Sequence, residues 1–311
     1  MWHPTTPTAP GPAHRLGAPI GWILATLATA WAVAELLAAA DRGWMVYSQF
    51  TDRELVRAAR WRDEPPLAGS ELSGGPGARI PGPALGLIFM LCRLVSPDPR
   101  AVFSLQATLV AVAIIILVGW SGRRWNPLVG ATTGLFLATH ATLAAVTQAP
   151  WNPGLAVLPV TVLTVALSES VLAGSARHPR AAAWAFAIGA QLHLAVASWA
   201  AACVVTLLLL RVSGLAAALR TTLWIALVAY APWLLGEALS GGAQASTLVE
   251  QVSGGSEIAL RGFDPGRLQV LLQALVGFPT EHLLNAGAAA CLALLGATLL
   301  GLATLAAHAD T

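Results

Sequence analysis

Apolar residues in this chain fall in long unbroken runs, and polar residues collect in the connections between them. Gly17–Ala40 is the first run, 24 largely apolar residues, enough to cross about 30 Å of hydrocarbon as a helix. Further runs at about 101–120, 127–147, 153–174, 181–196, 198–211, 220–238 and 284–307 predict further spans. A shorter run, 84–96, carries Arg93 near its end and predicts a re-entrant or interfacial helix. No repeat of fixed period and no heptad pattern interrupts this series. The pattern predicts an all-α polytopic membrane protein. Residues 1–16, rich in Pro, Thr and Ala, form a disordered tail in this reading, and residues 17–311 form one transmembrane domain. Ala38-Ala39-Ala40 has the small residues of a signal-peptidase site. The apolar region exceeds the roughly 7–15 residues of a signal peptide, so an uncleaved anchor is expected.

Composition supports the same class. The chain is 56% hydrophobic and only 10% charged, against about 25% charged in soluble domains. Mean hydropathy is +0.69. All 17 basic residues are Arg, which reads as coding bias, with guanidinium chosen for phosphate recognition only at single sites. A net charge of +2 gives no sign of a nucleic-acid partner. Cys92, Cys203 and Cys291 lie in separate apolar runs and read as small buried hydrophobes.

Charge orients the runs. Arg123-Arg124, Arg177…Arg180 and Arg211…Arg220 are short basic connections and should be cytoplasmic. Counting 84–96 as a non-spanning helix satisfies all three. The N-terminus is then inside, and the loops at 41–100, 148–152, 196–198 and 239–283 face outward. Two loop segments predict helices lying at the surface. In 52–62, Arg53, Arg57 and Arg60 share a stripe, with Leu55, Val56 and Ala59 on another face. In 264–276, Asp264 caps, Pro265 takes the first helical position, and Leu268, Leu271, Leu272 and Leu275 share a face.

Candidate chemistry gathers in the outward segments. Thr51-Asp52-Arg53-Glu54 has the spacing of a capping box, in which Thr51 caps and Glu54 reaches back. It also presents two carboxylates at a bilayer surface, with Asp52 as a candidate general base. Arg79-Ile80-Pro81-Gly82-Pro83 closes a Gly-rich loop, and Arg79 is a candidate phosphate clamp. Gln191-Leu192-His193 puts polar groups near an outer helix end, either as an interhelical hydrogen bond or as lining of an outward cavity. A divalent metal held by His193 and Glu71 is a further reading of that pair. Trp151-Asn152-Pro153 marks an outer turn, and Glu237 follows Pro232 near another outer helix end. Glu35 and Glu169 lie near the ends of apolar runs and receive no role.

The order of these pieces resembles the GT-C membrane glycosyltransferases, in the branch with the protein O-mannosyltransferases and the aminoarabinose lipid A transferases. The similar pieces are Asp52/Glu54, Gly74-Gly75…Pro81-Gly82-Pro83, Trp151-Asn152-Pro153, Gln191-Leu192-His193 and Pro232…Glu237, over roughly residues 17–250. The resemblance implies a short bacterial member with a GT-C-like helical bundle in the plasma membrane. It implies sugar transfer on the outer face from a polyprenyl-phosphate-linked sugar to a lipid, glycan or protein acceptor. Asp52 or Glu54 would then be the catalytic carboxylate, and Arg79, standing where relatives often have Lys, would hold the departing lipid phosphate. Asn152, Gln191, His193 and Glu237 would line the substrate site. The runner-up expectation is a non-catalytic transporter or flippase of a lipid-linked sugar or other solute, or an accessory subunit.

Overall fold

The computed structural model describes residues 12–43, 49–61, 67, 79–140, 152–242 and 245–247. Among these, helices follow one another in the order α1 (Pro12–Gly43), α2 (Gln49–Ala59), α3 (Ala84–Val95), α4 (Arg100–Arg124), α5 (Pro127–Thr139), α6 (Asn152–Ala173), α7 (Pro179–Leu192), α8 (Leu194–Leu209) and α9 (Leu215–Leu239). No strand occurs among the described residues. Among the described residues four helices are long and apolar enough to cross a membrane: α1 over Ala18–Gly43, α4, α6 over Gly154–Ala173, and α9. The chain is an all-α polytopic membrane protein.

One half of the bundle is a hub of α1, α4 and α5, whose buried seam is Ala25, Ala32, Leu36, Val110, Ile114 and Val118. Small residues set its closeness. A Cβ on Gly130 would lie 2.9 Å from the Val118 carbonyl oxygen and 3.1 Å from the Gly122 Cα. Without a strong hydrophobic drive in lipid, such close backbone approach is what holds helices together. Asn126 begins α5, its side-chain oxygen accepting from Val129 N at 3.0 Å, with Pro127 at the first position.

The other half joins α6, α7, α8 and α9. Buried Ala183, Ala185, Ala187 and Gly189 let α7 approach its neighbours. A Cβ on Gly189 would meet the Pro159 ring and Val196 at 2.8 Å. A second core crosses from this half to the short helices: Ala58, Leu85, Phe89, Val102, Leu155, Leu192 and Val196. Through it α2 and α3 rest on the starts of α4, α6 and α8 and the end of α7. The turn Ser96–Pro99 sends α3 into α4, with Asp98 Oδ1 accepting from Arg100 N at 2.9 Å.

These contacts define two ends. Gly122 lies against the Trp22 indole and Gly21 against Pro127, so the early part of α1 meets the end of α4. The α6–α7 and α8–α9 connections meet through a bridge between Ser175 and Ser213. Arg123, Arg124, Arg177, Arg180, Arg211 and Arg220 therefore share the end of the bundle opposite α2 and α3.

Several sequence expectations change in detail. The break expected at 196–198 falls at His193, where the backbone is extended (φ −152°, ψ 125°). The resulting α7 and α8, of 14 and 16 residues, rise about 21 and 24 Å, less than the span expected of each. The capping box does not form: α2 begins at Gln49, so Thr51 lies inside the helix. The face of α2 that turns inward carries Glu54 and Ala58, while Val56 is 53% exposed and Ala59 is also exposed. Ala58 is small enough to let α2 sit on α3, and Glu54 can be buried because Arg57 neutralises it. The run at 127–147 is helical as α5 to Thr139; residues 141–150, 251–311 and the expected helix 264–276 lie outside the described residues.

Placing a branched side chain at the tightest crossing tests the hub. Gly130→Val should destabilise the protein by about 1–3 kcal/mol, measured as a lower midpoint of thermal unfolding in detergent, whereas Gly119→Ala, whose Cβ would meet only the tip of the Arg123 side chain at 3.4 Å, should have little effect.

Candidate functional site

The site is organised around one amide. Gln191 sits one residue from the end of α7 and is 2% exposed. Its Oε1 accepts from Ala84 N at 3.1 Å, and its Nε2 donates to the Ala229 carbonyl at 3.0 Å. Both partners are backbone groups, and the first is one that its own helix leaves short of a bond. Ala84 N begins α3, where first-turn N–H groups lack intrahelical acceptors. Ala229 lies three residues before Pro232, inside α9, on the turn that the proline ring crowds. The amide thus ties the start of α3 to the proline bend of α9.

Pro81-Gly82-Pro83 is shaped by the same contact. Gly82 has φ +104°, a conformation that side chains rarely adopt, and a Cβ there would overlap the Gln191 side chain. Gly82 and Pro83 are buried, and Arg79, just upstream, is half-buried and engaged. Leu67 from the same loop touches Gly236, near the end of α9, at a Cβ-equivalent distance of 3.3 Å.

His193, two residues on, joins α7 to α8. Its Nδ1 accepts from Ala195 N at 3.1 Å, so the imidazole is the N-cap of α8. Burial lowers its pKa below the ordinary value, because desolvation penalises the cation. Capping also requires an unprotonated Nδ1.

The carboxylates divide. Glu54 is buried on α2, with Arg57 Nη1 reaching its two oxygens at 3.0 and 3.1 Å. Glu237, 9% exposed, accepts from Ala245 N through Oε2 at 2.9 Å and so closes the chain reversal after α9. Asp52 and Asn152 lie in the first turns of α2 and α6, and their side chains lie outside the described residues, as does Glu71. Among the described residues no three His, Cys, Asp or Glu side chains gather as metal ligands.

The structure brings Arg79, Gln191, His193, the buried face of α2 and the end of α9 to one end of the bundle. Within that set, Gln191 and Glu237 hold backbone, so of the two readings open for Gln191 the interhelical hydrogen bond describes it. Sequence reading missed Gln106, which is fully buried in α4. A Cβ on Gly154 would come within 2.6 Å of the Gln106 amide, so Gln106 supports the first turn of α6 beside Asn152. An amide inside an apolar span was the available signal.

Gln191→Leu keeps the volume and takes the side-chain partner from two part-buried backbone groups. It should cost roughly 1–3 kcal/mol, from about 0.5–1.5 for each hydrogen bond lost, seen as a lower unfolding midpoint. Gln191→Glu should do nearly as badly above neutral pH, because a carboxylate cannot donate to Ala229. For His193 the folded state favours the neutral ring, so the unfolded chain binds more protons as pH falls. Its contribution is complete above the ordinary imidazole value of about 6.5 and is lost as pH drops from there toward the lowered folded value. His193→Asn retains a capping oxygen and should flatten that part of the stability–pH curve. The chain matches no protein-family model and no curated protein.

Proposed function

We propose that this protein is a membrane glycosyltransferase that moves a sugar from a polyprenyl-phosphate carrier to an acceptor hydroxyl on the outer face of a bacterial plasma membrane. The observation that carries the reading is the gathering of α2, the Pro81-Gly82-Pro83 segment and the ends of α7 and α9 at the end of the bundle opposite six arginines. Basic connections favour the cytoplasm, which orients the gathered end outward. A short α3 there, with Leu91, Leu94 and Val95 exposed, offers an apolar flank along which a lipid carrier can approach.

In this mechanism Asp52 takes the proton of the acceptor hydroxyl. The acceptor oxygen forms its bond to the anomeric carbon as the bond from that carbon to the carrier phosphate oxygen breaks. The electron pair stays on the phosphate, and Arg79 stabilises the charge. Glu54, bound to Arg57, acts as a positioning residue for the start of α2. His193 and Asn152 flank the acceptor side. The resemblance to GT-C enzymes supports this reading and supplies its substrate class.

A second reading is a carrier or flippase for a lipid-linked sugar, or an accessory subunit. It draws on the broken, short pair α7 and α8, since interrupted helices are a common transporter device.

Purified protein in nanodiscs, given polyprenyl-phosphate sugars and membrane-extract acceptors, separates them. Asp52→Asn should lower turnover about 10²–10⁴-fold without moving the unfolding midpoint. Arg79→Gln should lower it as well, with Arg79→Lys partly restoring it. Full turnover in Asp52→Asn removes Asp52 as the base, and movement of the lipid-linked sugar across the bilayer with no transfer in the wild type favours the second reading.

A further inference from the structure

The end that carries the arginines is built as carefully as the end that carries the candidate site. Its two connections are tied together: Ala176 N donates to the Ser213 carbonyl at 2.8 Å, and Ser213 N and Oγ donate to the Gly174 carbonyl at 3.0 and 3.1 Å. Ser170 Oγ, buried in α6, accepts from Arg177 N at 2.9 Å while donating to Ala166 O at 2.6 Å. Arg211 and His178 are held in the left-handed region, at φ 52° and 51°, which bulky residues adopt only when their surroundings impose it.

Beside this tied platform lies a cavity of 510 Å³ among α6, α7, α8 and α9. Ligand pockets span about 300–1,000 Å³. Leu163, Phe186, Ala200, Cys203 and Leu215 line it, and Arg177 stands on its edge. Two further lining residues, Val205 and Leu219, are 54% and 40% exposed, so the cavity opens sideways, toward lipid. No Asp or Glu among the described residues lines it. Arg180 and Arg220 adjoin the lining residues Pro179 and Leu219 in sequence, Arg211 lies in the α8–α9 connection, and all three are exposed. The guanidinium groups of these four arginines make no hydrogen bond or ion pair with described residues.

We propose that this cavity is a binding site for an anionic glycerophospholipid of the surrounding leaflet. One acyl chain fills the apolar space between α7 and α8. The headgroup phosphate rests on Arg177, with Arg180, Arg211 and Arg220 around it. The occupant follows from the pairing of features: a lateral apolar opening selects a chain already in the bilayer, and unpaired guanidinium groups at headgroup depth select a phosphate with net negative charge. The neighbouring groove at this end is different in kind. It holds Glu169, bonded to Trp120 Nε1 at 2.7 Å, beside Arg123 and Arg124, and so lacks the uniform charge. The site is separate from the proposed sugar-transfer site and stands whether or not that activity is found.

The test uses the full chain in nanodiscs of phosphatidylcholine doped with phosphatidylglycerol or phosphatidylcholine bearing a photoreactive acyl chain, with labelled peptides mapped by mass spectrometry. Phosphatidylglycerol should label the α7 and α8 peptides at least about five-fold more than phosphatidylcholine, the factor that a single surface arginine provides. Ala200→Phe should abolish that labelling. Arg177→Gln with Arg211→Gln should keep the labelling and erase the preference, which guards against a misfolded filling variant. Equal labelling by both lipids in the wild type would reduce the cavity to a non-selective lipid groove and overturn the proposal. Absent labelling, together with a cross-link between Cys203 and Cys291, would put the chain's own last apolar run there and overturn it equally.

Discussion

A single buried amide decides how the end of this molecule that carries α2 and α3 is assembled. Gln191 bonds an N–H that α3 cannot use and a carbonyl beside the Pro232 bend of α9. In a low-dielectric interior an unpaired backbone group is costly and a paired one is strengthened. Three segments far apart in sequence are therefore held in one arrangement. Gly82 follows from this, since only a residue without a side chain can pass the amide at that φ.

The rest of the candidate site hangs from that tie. Arg79 precedes the fixed Pro81-Gly82-Pro83 segment, His193 follows the amide by two residues, and α2 lies on α3 through Ala58. Many of the polar groups here are spent on backbone: Gln191 on two helices, His193 on the start of α8, Glu237 on the turn after α9. Their work is to hold geometry, and the chemistry proposed for the site falls on fewer residues than the sequence nominated.

The fold was largely legible before any coordinates. Runs of about 20 apolar residues have one solution in a bilayer, because every backbone group must be satisfied within the helix. The 100–124 and 152–173 helices and the short 84–95 helix lie where the pattern puts them, while α1 starts at Pro12, inside the segment read as a tail. Hydropathy misplaces the α7–α8 break because it is blind to a capping imidazole and reads Leu194-Ala195-Val196 as a continuation of the apolar run. Periodicity does not show that Glu54 turns inward on α2, because a carboxylate counts as polar in any pattern, while an adjacent Arg57 makes its burial acceptable.

Sequence alone determined the membrane class, the positions of the long apolar helices and the clustering of arginine in particular connections, since these depend on local composition and on the thickness of a bilayer. Tertiary structure alone decided which connections meet, that Gln191 is a strut, and that a cavity opens beside the arginine end. Those outcomes depend on which unsatisfied backbone groups and which small residues face one another, and that pairing is a property of distant segments brought together, absent from any one of them.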